Sequence, residues 1–181
     1  MISRRQPASS CRTRRGVAAV EMALVTMLFV APMMIGVLEL GRMIQVQQIV
    51  SNAAREGARL AGQGYTVNST GSPTQIMVNS GSPSVSTTVY QYLVAAGLGD
   101  LQPSDVTVTF AFTPATGFDS TLTEPYQGIK NQPFTVTVEV LWTKVRWVNL
   151  GIINPTKIRF TVTWQMLVDD PFTVNGSLPT W

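Results

Sequence analysis

The sequence predicts an α+β chain: a long N-terminal helix, half membrane-spanning and half extramembrane, packed on an antiparallel sheet of about three to four strands. Three observations carry this. An apolar run, Val17–Leu40, sits directly behind a basic leader; a helical seam continues from Met43 to Leu60; and three segments between Val106 and Met166 alternate strictly between apolar and polar residues. Of the 181 residues, 45% are hydrophobic and only 13% charged, the latter about half the soluble average. Low charge combined with a long apolar run points to a membrane-tethered chain.

The apolar run is about 36 Å long as a helix at 1.5 Å per residue, enough to span a hydrocarbon core of about 30 Å. It is longer than a cleavable secretory core and no A-x-A site closes it. The net charge of +3 belongs to the leader: Arg4, Arg5, Arg12, Arg14 and Arg15 precede Gly16 with no acid among them, leaving eight basic residues against ten acidic. A basic arm ahead of an apolar run stays cytoplasmic while the chain beyond the run crosses. The high pI is therefore no sign of nucleic-acid binding.

Glu21 breaks the apolar run near its start, where a carboxylate at bilayer depth costs about 2.5–3.5 kcal/mol and marks a functional site. It is the fifth residue after Gly16. A cut after Gly16 would leave a free amine on Val17 one helical turn from the Glu21 carboxylate, which also complements the helix dipole.

The helical pattern continues past the membrane. Met43, Val46, Val50, Ala53, Gly57 and Leu60 recur at 3-4-3-4-3 spacing, Gly62 and Gly64 stop it, and Pro32 predicts a kink. Glu39 and Arg42, three apart, are placed to pair. The seam has two readings: packing on the protein's own sheet, or packing against other subunits.

Beyond it, residues 63–83 read as a loop with a short strand at Gln75–Val78, and Ser86–Ala96 as an amphipathic helix ended by Gly97 or Gly99. Val106–Thr113, Phe134–Thr143 and Ile158–Met166 are strands with one apolar face each, so one face is covered and one wet. The apolar connection Val145–Ile153 either packs back on the core or forms a contact patch for a partner or the membrane surface. The organisation expected is a basic cytoplasmic leader (1–16), a transmembrane helix (17–41), its extramembrane continuation (42–62), a loop (63–83) and an α+β head (84–181).

Enzyme readings find little support. There is no histidine, and the single cysteine, Cys11, lies in the leader, which excludes Ser-His and Cys-His chemistry and a thiolate metal site in the head. Asp169 and Asp170, adjacent before Pro171, look like a strand-ending turn. No cofactor, no nucleic acid and no small-molecule substrate is expected.

The glycine-ended basic leader, the apolar helix with Glu21 and the stretch "NAAREGARLAG" after it resemble TadE-like minor pilins (pseudopilins) of the tight-adherence, or Flp-type, pilus machinery. The likeness is strongest over residues 15–61. It implies a pilin-like fold, no catalytic activity, and processing by a membrane prepilin peptidase with Gly16 before the scissile bond and Val17 as the new N-terminus. Glu21 would serve recognition and assembly, and Ala54, Arg55, Glu56, Gly57, Ala58 and Arg59 would form the family motif after the membrane helix. The implied partners are the membrane, the peptidase, other pilin-like subunits and inner-membrane tight-adherence components. The implied location is the bacterial inner membrane, with the N-terminus cytoplasmic and the head extracytoplasmic or in a surface pilus. Met22 departs from the family, in which an aromatic commonly follows the glutamate. The competing expectation is a single-pass extracytoplasmic binding or structural protein with an uncleaved anchor, which has no need of the Gly16/Glu21 pair.

Overall fold

The computed structural model describes residues 11–69, 71–147 and 155–167, with side chains from Gly16 onward. The chain divides into two compact units, one up to Gly41 and one from Arg42. Most of the Val145–Ile153 connection and the Asp169–Asp170 pair lie outside the described residues.

α1 (Cys11–Val25) passes through one π turn, Thr26–Val30, into α2 (Ala31–Ala61), which begins in the first unit and ends in the second. The turn is widened because Pro32 has no N–H to give and its ring crowds the carbonyl of Leu28. Ala31 N–H instead bonds the carbonyl of Thr26, five residues back. A π turn, rather than a break in the helix, thus lies just before Pro32. Every residue from Gly16 to Met34 is exposed, large apolar side chains included. Gly16–Ala61 is long and apolar enough to cross a membrane.

The second unit is the α+β layer the sequence predicts. Three strands, β3 (Val106–Phe112), β4 (Pro133–Leu141) and β5 (Lys157–Gln165), form an antiparallel sheet in that order. Ahead of them come a hairpin, β1 (Tyr65–Val67) paired with β2 (Pro73–Gln75), and a helix, α3 (Val85–Ala95). Residues 63–83 are therefore more than a loop: beyond the hairpin, Ile76 and Val78 are buried in the core without strand structure.

Strand β4 lies in the middle, with Val136 opposite Phe110 on one side and Val162 on the other. Its inward residues Phe134, Val136, Val138 and Val140 are fully buried, and Phe110 packs on Phe112 edge-to-face at 4.9 Å between ring centroids. β3 and β5 are both edge strands of the described sheet, yet their inward faces differ. α3 lies against β3, where Val108, Phe110 and Phe112 are buried, while on β5 Phe160 and Val162 are only half-buried and Trp164 is exposed. Trp142, expected to end its strand, begins the short helix α4 (Trp142–Val145) and is buried there.

Helix α3 starts at Ser84, whose hydroxyl accepts the Thr87 N–H at 3.3 Å. It buries Val85, Val89 and Leu93, one face at four-residue spacing. Its end is a Schellman turn: Leu98 N–H reaches the Leu93 carbonyl and Gly97 N–H that of Val94, with Gly97 at φ 97°.

Candidate functional site

Within the second unit, α2 presents a face of small residues. Val46, Val50, Ala53, Ala54, Ala58 and Ala61 are completely buried. Gly57 is buried among them, and a β-carbon placed on it would stand 2.6 Å from Val89 Cγ2 and 3.4 Å from Val85 Cγ1, with Val136 Cγ1 behind at 3.9 Å. Real carbon contacts do not come as close as the first of these. The glycine is what lets α2 approach α3 and the sheet together. Of the two readings of the seam, packing on the protein's own head accounts for this part of the helix.

The charged members of the same stretch face solvent. Arg55 and Arg59 are exposed, and Arg59 forks onto Glu56, with Nε donating at 3.0 Å and Nη2 at 2.6 Å. The Arg59 hydrogen bonds hold the Glu56 carboxyl below its ordinary range, against the opposing pull of partial burial. Ala54, Gly57 and Ala58 thus serve packing, while Arg55, Glu56 and Arg59 form a solvated surface beside it.

In the first unit the arrangement is different. Gly16, Val17 and Glu21 are all exposed on α1. A β-carbon on Gly16 would meet nothing within 4 Å. No packing inside the described chain requires a glycine there, in direct contrast to Gly57.

The expected Glu39–Arg42 pair does not form. Arg42 donates from Nε to the Val145 carbonyl at 3.0 Å and from Nη1 to Gln45 Oε1 at 3.1 Å, and its guanidinium lies 4.8 Å from the centre of the Trp147 ring. Glu39 is 5% exposed, with no hydrogen-bond partner for either carboxylate oxygen. The spacing allows the pair, but a carbonyl 103 residues away claims the arginine first. This Arg42–Trp147 contact is the feature that reading the sequence missed; the only hint was an isolated tryptophan in an apolar connection.

The sheet carries one strong charged cluster. Glu139, 9% exposed, accepts from Lys157 Nζ at 2.8 Å and from Arg159 Nε at 2.6 Å. Hydrogen bonds from Lys157 and then Arg159 hold its carboxyl below the usual range. Arg159 lies directly opposite Glu139 in the β4–β5 register, so the cluster ties the edge strand to the sheet. The described residues contain no group of three or more His, Cys, Asp or Glu placed to hold a metal ion.

Neither a curated protein nor a solved structure matches the chain. A family model, that of TadE-like proteins, does match, over residues 16–59, from the exposed Gly16 to the arginine that pairs with Glu56. Over that span, about a quarter of the chain, covering the apolar helix and the small-residue packing face, the sequence is similar to the TadE-like family.

Proposed function

We propose that the chain is a non-catalytic TadE-like pseudopilin, or minor pilin, held in the bacterial inner membrane by α1 and the start of α2. In this reading it takes part in assembling a tight-adherence pilus, with its leader cytoplasmic and its head outside. One observation carries the reading: the family match begins at Gly16, a glycine that no packing among the described residues requires, at the start of the exposed apolar part of α1 that bears Glu21. An exposed helix of this kind needs lipid or other helices around it. An exposed glycine and a carboxylate in that helix are signals for other molecules: a prepilin peptidase that cuts between Gly16 and Val17, then neighbouring pilin-like subunits.

After cleavage, the Val17 amine and the Glu21 carboxylate lie at the membrane about one helical turn apart. The glutamate of one subunit can neutralise the amine of the next and set their axial register. Breaking such a pair in a low-dielectric setting costs about 3–5 kcal/mol. The test is to crosslink wild type and Glu21→Gln in native membranes and measure recovery of pilin-like partners. The variant is expected to insert normally and lose partners. Full partner recovery by a correctly cleaved variant contradicts the assembly role.

A further inference from the structure

The head carries an aromatic and basic cluster on which pilus assembly through Glu21 makes no demand. Arg42 lies against the face of Trp147 and holds the Val145 carbonyl; Lys144 and Arg146 flank the same small cleft. Trp147 is 72% exposed, although an aromatic side chain of this size ordinarily gains by burying its large apolar surface. The cluster is not purely cationic: Asp100 lines the cleft, and Asp105 lies 3.8 Å from Lys144 Nζ. Long-range attraction is therefore modest, and the indole must lead any docking with the cations assisting.

The chain's connectivity selects the occupant. Arg42 follows Leu40, the last apolar residue of the anchor, by two positions, so their α-carbons are within about 8 Å at 3.8 Å per peptide. Where the apolar run leaves the hydrocarbon, Arg42 stands in the headgroup layer, and Val145 and Trp147, which touch it, stand there too. That layer is where tryptophan concentrates in membrane proteins and where Lys and Arg meet lipid phosphates.

We propose that Trp147, with Arg42, Lys144 and Arg146, docks the head on the phospholipid headgroups of the membrane that holds the anchor. The indole enters the interface and the basic groups reach phosphate. This rests on the anchor reading, and the test separates the two. The full chain is reconstituted into vesicles of phosphatidylglycerol and phosphatidylcholine brominated near the top of its acyl chains, as wild type and as Trp147→Phe. Both are checked for flotation and for unchanged far-UV circular dichroism. Wild type is expected to float and to show a bromine-quenched component of tryptophan fluorescence that Trp147→Phe loses. Trp142 is buried, while Trp164 and Trp181 contribute equally to both proteins. Equal quenching in two floating proteins overturns the docking and leaves the anchor standing, freeing the cluster for a protein partner. A chain that does not float overturns the anchor and the docking with it.

Discussion

Gly57 on α2 and Val89 on α3 stand so close that a single added β-carbon would come within 2.6 Å of the valine's Cγ2. The small-residue turn of the TadE-like span is, at this point, a condition for the head to close. Alanine at position 57 would gain about 1 kcal/mol of helix propensity and lose about 1–3 kcal/mol to overpacking against a stiff β-branched side chain. Gly57→Ala is expected to cost about 1 kcal/mol net in denaturant titrations of the detergent-solubilised chain. Val89→Ala opens the space, so adding Gly57→Ala to that background should be neutral or stabilising. Additive losses in the double variant would show that the two residues do not compete for the same volume.

The buried face of α2 also predicts where the head can be cut. A chain starting at Arg42 keeps Val46, Val50, Ala53, Ala54, Gly57 and Ala58 and should fold with cooperative thermal unfolding. One starting at Ser84 exposes the core surfaces those residues cover and should not. Circular dichroism melts of the two fragments check this. A cooperative transition in the shorter one would mean that α2 is an accessory to the head rather than part of its core.

Acid should weaken the sheet through Glu139. Its carboxyl is held below the ordinary value of 4.5 by Lys157 and Arg159. A group depressed in the folded state stabilises fully above its unfolded pKa, and that contribution is lost as pH falls through the folded one. The melting temperature of the Arg42 fragment should therefore fall as pH drops below about 4.5. Glu139→Gln should melt lower at neutral pH and show a shallower acid slope, with Glu56 and Asp119, also depressed, supplying the remainder. An unchanged slope in Glu139→Gln would assign acid sensitivity elsewhere.

Much of this architecture was legible in residue order because period two and period 3.6 report which side of an element is covered. Val46, Val50 and Ala53 on α2, and Phe134 through Val140 on β4, lie on the faces their spacing predicts. Ala54, Ala58 and Ala61 lie off the seam that the spacing marks, because alanine is too weakly apolar to mark a stripe; the structure buries all three beside Gly57. The half-open face of β5 was equally invisible, because Phe160 and Val162 alternate as regularly as Val136 and Val138. What covers an edge strand is a property of the fold: β3 and β5 are both edges, and α3 lies against β3. Arg42 gave the wrong partner for a related reason, since i, i+3 spacing reports what is near in sequence and the Val145 carbonyl is near only in the fold. Gly16 and Glu21 stand out in the sequence by their places at the start of the apolar run, and in the structure a β-carbon on Gly16 would meet nothing within 4 Å.

In the proposed function, Gly16 and Glu21 form a processing signal ahead of a membrane-held pseudopilin. The most direct measurement is the N-terminal residue of the protein recovered from native membranes, by Edman degradation or intact mass. Val17 is expected as the first residue, with the mature chain retained in the membrane fraction. Recovery of the chain with residues 1–16 still attached would contradict it and leave an uncleaved anchor.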